Sequence, residues 1–156
     1  MEIETPFSGQ EITGRPAQMM GFGDAVKNAI VNNYVNFSGR ASRSEYWWFT
    51  LFNIIVGIVL LPVDMALGFD PLASDPMSPL SSFGVASTIA TLALLLPGLG
   101  LMWRRLHDGN RSGWYVLLGV IPIINFIGVF VLLYFTIAEG QPHANQYGAV
   151  PTNTLE

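Results

Sequence analysis

The chain has no cysteine, which excludes a disulfide, a thiolate metal site and a cysteine nucleophile. Charge is almost as scarce. Seven Lys and Arg and eleven Asp and Glu make up 12% of 156 residues, about half the share usual in a soluble domain. A soluble protein of this size needs a polar skin that these residues cannot supply, whereas 51% of the chain is hydrophobic. Composition therefore favours a bilayer as the solvent. The start does not read as a signal peptide, because the first 40 residues are mixed and polar and include Glu2, Glu4 and Glu11. The first long apolar run is expected to stay in the protein as an internal anchor.

Three runs have no charge at all: Tyr46 to Val63, Phe83 to Trp103 and Trp114 to Ala138. About 20 helical residues cross a hydrocarbon core of roughly 30 Å. The expected fold is thus an all-α integral membrane protein, a small bundle of three transmembrane helices preceded by a short amphipathic helix. The spans are expected at about residues 46–66, 83–103 and 114–137. Ser42 followed by Glu45 forms a capping box that starts the first of them. Pro62, Pro97 and Pro122 lie within the runs, and Gly57, Gly98, Gly100, Gly119 and Gly128 allow close helix approach.

Residues 1–20 read as a flexible tail with no apolar period, and 141–156 as a C-terminal tail. Between about 22 and 37, Phe22, Val26, Ala29, Ile30, Asn33 and Phe37 recur at helical spacing. This is the expected juxtamembrane helix, lying on the lipid surface or serving a partner.

Basic residues are missing from the connection Asp64 to Ser82 and from everything after Ala138. They gather instead before the first run (Arg15, Lys27, Arg40, Arg43) and between the second and third (Arg104, Arg105, Arg111). Three crossings would put both basic segments on one side. Positive charge stays in the cytoplasm, so a cytoplasmic N-terminus and a periplasmic C-terminus are expected. Tyr46, Trp47, Trp48, Trp103, Trp114 and Tyr115 then share one interface.

Two segments, Arg43-Ser44-Glu45-Tyr46-Trp47 and Arg111-Ser112-Gly113-Trp114-Tyr115, repeat a basic, hydroxyl, aromatic order. The stretch from Phe37 to Phe49, the run Arg104-Arg105-Leu106-His107-Asp108 with Arg111-Ser112-Gly113-Trp114, and the tail Gly140 to Pro151 with Asn145, Tyr147 and Gly148 resemble the three motifs of the DUF805 family of small bacterial inner-membrane proteins. Asn110 stands where many members have glycine, and asparagine also tolerates a left-handed turn. The resemblance implies the bacterial inner membrane and no reaction.

The polar residues near the basic side admit two readings. In one, Glu45 pairs with an arginine of the 104–105 segment and Asp108 caps a turn or pairs likewise, with His107 beside them. In the other, Arg40, Arg43, Arg104, Arg105 and Arg111 form a site for an anionic headgroup or phosphorylated ligand, for which the planar guanidinium is well suited. No catalysis is expected. His107 and Asp108 are sequence neighbours without a second histidine on their side, and no metal, nucleophile-elbow or phosphate-loop pattern is present. No cofactor is expected, and nucleic acid is excluded by the low density of basic residues. Asn53 and Asn125 are the strongly polar residues inside the runs, suited to interhelical hydrogen bonds with each other or with a second subunit. The expected partners are membrane lipids and a second copy. The function class is a structural or interaction module, the alternative being a subunit of an oligomeric channel or transporter.

Overall fold

A computed structural model describes residues 20–69 and 84–151. The expected N-terminal tail and most of the acidic connection between the first two runs lie outside the described residues. Helix α1 spans Phe22–Lys27 and continues as a π-helical turn, Asn28–Asn32. Helix α2 is Arg43–Ala66 and α3 is Val85–Asp108. A 3₁₀ helix, Gly113–Gly119, precedes α4, Pro122–Ile137.

The α1 segment stops at Asn32, short of the expected 37. Its asparagines bond locally instead: Asn33 Nδ2 donates to the Asn28 carbonyl at 3.1 Å, and Asn36 Nδ2 to Asn33 Oδ1 at 2.7 Å. Such side chains compete with the helical ladder. Ala25 and Ala29 are fully buried, and Ala29 packs with Ala41, Phe49 and Leu101 in the small apolar core.

Ser42 starts α2 by accepting from the Glu45 N–H at 3.2 Å. At 24 residues each, α2 and α3 are about 36 Å long, enough to cross a hydrocarbon core of roughly 30 Å. Helix α3 runs through Arg104–Asp108, so these five residues are helical rather than part of a loop. At the other end of the pair, buried Asp64 caps α3, its two oxygens taking the N–H groups of Ala86 at 2.8 Å and Ser87 at 3.0 Å.

The third apolar run does not form one helix. Pro122 has no N–H to donate and takes the first position of α4, while the residues before it form the 3₁₀ helix. The two pieces fold back on one another. Tyr115 meets Phe135 edge-on at 5.7 Å, and a side chain at Gly128 would collide with the Leu118 carbonyl. Both ends of this hairpin sit at the end of α3: Arg111 N–H bonds the Leu106 carbonyl at 3.0 Å, and Gln141 N–H bonds the Asp108 carbonyl at 2.9 Å. The third span expected at about 114–137 is therefore not one continuous helix, and both of its ends lie beside the end of α3. The described chain has two helices of spanning length and one shorter apolar helix that returns. An uncharged run looks alike whether it continues straight or turns on apolar residues.

The interior is inverted relative to a soluble protein. Nine apolar residues are buried among the described ones, and so are nine polar or charged residues. Ile58, Ile89, Leu92, Ile123, Phe126 and Phe130 are exposed. This exterior suits hydrocarbon and not water.

Candidate functional site

The buried charges collect at the end of the α2–α3 pair where α2 begins, α3 finishes and the hairpin closes. Two chain segments reach it without helical structure. Gly39, at a φ of 82°, turns the chain so that Arg40 enters the interior, and the Ala41 N–H bonds the Arg104 carbonyl at 3.0 Å. Asn110 has a φ of 56° and turns the chain out of α3 into the hairpin, in the left-handed conformation that asparagine tolerates.

Asp108 is the centre. It is fully buried and receives Arg40 through Nη2 at 2.8 Å and Nε at 3.1 Å, while Arg105 bonds its other oxygen. Arg40 also donates to the carbonyls of Gln141 at 2.5 Å and His143 at 2.8 Å. Arg105 donates to the carbonyls of Thr136 at 3.1 Å and of Ala138. A buried ion pair is tolerable only when further hydrogen bonds satisfy its remaining donors. Here those acceptors are main-chain carbonyls, several from the end of α4 and the segment after it, where an ending helix leaves carbonyls without intrahelical partners.

A second buried pair joins Arg104 Nη2 to Glu45 at 2.9 Å, and Asn28 Nδ2 donates to the same carboxylate oxygen at 3.0 Å. Glu45 thus fastens α2, α3 and the turn after α1. The Arg104 Nε is buried without a partner among the described residues. His107 Nδ1 lies 3.0 Å from the Gly39 carbonyl, and its ring is stacked on Tyr147 at 3.7 Å and 4°. Asn145 Nδ2 donates to the His107 carbonyl at 2.9 Å. His143 is at the same end, its carbonyl accepting from Arg40.

The five nominated arginines therefore divide. Arg40, Arg104 and Arg105 point inward onto protein partners. Arg43 is exposed and forms an ion pair at 3.0 Å with the exposed Glu139. Arg111 is half-buried, its guanidinium 3.9 Å above the Phe135 ring. Below Arg43 a groove of about 520 Å³ is lined by Ser44, Trp47, Trp48 and Leu51 of α2 and by Ile137 of α4. Asn53 and Asn125 do not meet: the Asn53 amide donates to the Phe49 carbonyl of its own helix at 2.8 Å, and Asn125 has no side-chain partner among the described residues. No group of three metal-ligating side chains is present among the described residues.

Several members of the cluster were missed from the sequence. Asn28 contributes its side-chain amide, Thr136 its carbonyl and Gln141 its main-chain N–H and carbonyl, and nothing in their spacing marks them. Asn145 and Tyr147 stood out only through the resemblance.

Residues 34–149 match the family model described as "Protein of unknown function (DUF805)". Inner membrane protein YhaI of Escherichia coli (strain K12) is 42% identical over 123 residues, covering 79% of this chain and 92% of YhaI. Inner membrane protein YhaH of the same strain is 38% identical over 122 residues, covering 78% and 92%. No solved structure matches. The matched region holds Arg40, Glu45, Arg104, Arg105, Asp108 and Tyr147, the residues that knot the helices, hairpin and tail together, and the chain belongs to the DUF805 family.

Proposed function

We infer that the protein is a non-catalytic module of the bacterial inner membrane, with both tails in the cytoplasm and a seat for an anionic phospholipid headgroup at Arg43. The relatives named as inner-membrane proteins support the location. The gathering of basic residues at the end that also receives the C-terminal segment supports the orientation. His107 supports the absence of catalysis, since one ring nitrogen faces a main-chain carbonyl and one ring face is covered by Tyr147.

The observation that carries the lipid seat is the line Arg43, Trp47, Leu51 along α2, with Trp48 beside it and Ile137 opposite. Residues four apart stack on one helix face. A guanidinium at headgroup depth takes phosphate through its planar fork, indoles suit the interface, and Leu51 and Ile137 suit the acyl chain. Glu139 now holds the guanidinium, but an exposed ion pair of this kind contributes only about 0–1 kcal/mol, so a phosphate displaces it at little cost.

Native mass spectrometry of the full chain from nanodiscs of mixed anionic and zwitterionic phospholipid tests this. Arg43→Gln is expected to lose most of the retained anionic lipid, and Glu139→Gln to keep or increase it. Equal retention by Arg43→Gln and the parent chain would sink the reading.

A further inference from the structure

A second groove, also of about 520 Å³, runs between α2 and α3. It shares no lining residue with the one below Arg43. Tyr46, Phe49, Asn53, Gly57 and Leu60 lie along its α2 wall, and Thr91 on its α3 wall. Asn53 sits near the middle of α2, at the depth of the hydrocarbon core. One amide N–H is used on the Phe49 carbonyl, which leaves the amide oxygen and the second N–H without a protein partner among the described residues. Hydrocarbon offers neither donor nor acceptor, and an unsatisfied polar group there is costly.

We propose that this groove is the interface of a symmetric homodimer in which the Asn53 amides of two copies pair across the two-fold axis. A carboxamide is self-complementary: the free N–H of each copy donates to the amide oxygen of the other. An isologous interface requires that a residue on the axis meet itself, and asparagine satisfies that where a lone donor or acceptor would not. Gly57, one turn deeper on the same face, has nothing within 4 Å of the position a Cβ would take, so the backbones of two copies can approach there. An acyl chain would fill the groove without satisfying the amide.

The absence of cysteine makes the test direct. Gly57→Cys in the full chain, oxidised in isolated membranes, is expected to give a disulfide-linked homodimer. Ile54→Cys, exposed but outside the groove, is expected to remain monomeric. Energy transfer between donor- and acceptor-tagged full chains in liposomes provides a second readout that needs no cysteine. Asn53→Leu is expected to weaken self-association roughly ten-fold, and Asn53→Gln, which keeps the carboxamide, to weaken it less. Unchanged energy transfer in Asn53→Leu overturns the proposal. So does a Gly57→Cys variant that folds yet stays monomeric under oxidant, or one that cross-links to a different polypeptide.

Discussion

The Arg40 guanidinium and the Asp108 carboxylate lie 2.8 Å apart with side chains only 1% and 0% exposed, although 68 positions separate them in the chain. Asp108 also holds Arg105, so one carboxylate meets two interior cations. Removing it takes that contact from both.

Asp108→Asn is therefore expected to destabilise the fold by about 3–5 kcal/mol, the range for breaking a buried pair. Glu139→Gln removes only the exposed partner of Arg43, with an expected change of about 0–1 kcal/mol. Unfolding of both variants in mild detergent compares them. Equal loss would show that the interior pair is not what holds the cluster.

The hairpin depends on Gly128, where a Cβ would strike the Leu118 main chain. Gly128→Ala should separate the arms and cost about 1–3 kcal/mol, as overpacking does. Gly23→Ala, exposed and in open space, should stay within about 0.5 kcal/mol. A thermal shift no greater for position 128 than for position 23 would contradict the folded-back arrangement.

At the opposite end of the helix pair, Asp64→Ala removes the acceptors for two N–H groups in the first turn of α3. The expected loss is about 0.5–2 kcal/mol. Hydrogen exchange should speed up at Ala86 and Ser87 and not at Leu101. Uniform exchange along α3 would deny Asp64 its role as a cap.

Orientation gives a fourth expectation. A reporter joined after Pro151 should be active in the cytoplasm, and a cysteine introduced by Gly68→Cys should be labelled by an impermeant reagent from the periplasm. Tyr147→Ala removes the ring stacked on His107 and should raise proteolysis after Gly140 in inside-out vesicles. A tail cleaved only from the periplasmic side would refute the shared placement of the tails.

The first two long helices were legible because each is a long uncharged run with clear ends: Ser42 and Glu45 open one, and the basic run Arg104-Arg105 lies in the last turns of the other. The pairing of Glu45 with a neighbouring-helix arginine was legible as one of two readings, since a carboxylate and guanidiniums were expected at one depth. The hairpin was not legible. Hydropathy averages over Val120 and Ile121, which are as apolar as the helices they join, and Pro122 reads equally as a kink or a start. The main-chain carbonyls that receive Arg40 and Arg105 could not be seen at all, because every residue carries one and only the fold selects which are near.

Arg40 acquires its last acceptors late. The His143 carbonyl lies 103 residues further along the chain, which at ribosomal rates is about 5–20 s of synthesis. Its charge partner, Asp108, is itself 68 residues away, so until that residue is made the guanidinium remains a hydrated cation. On the orientation proposed above, this is the period in which the first helices enter the membrane and a cation holds its flank back. On that orientation the same side chain serves first as a brake on translocation and afterwards, once the finished tail docks, as a rivet.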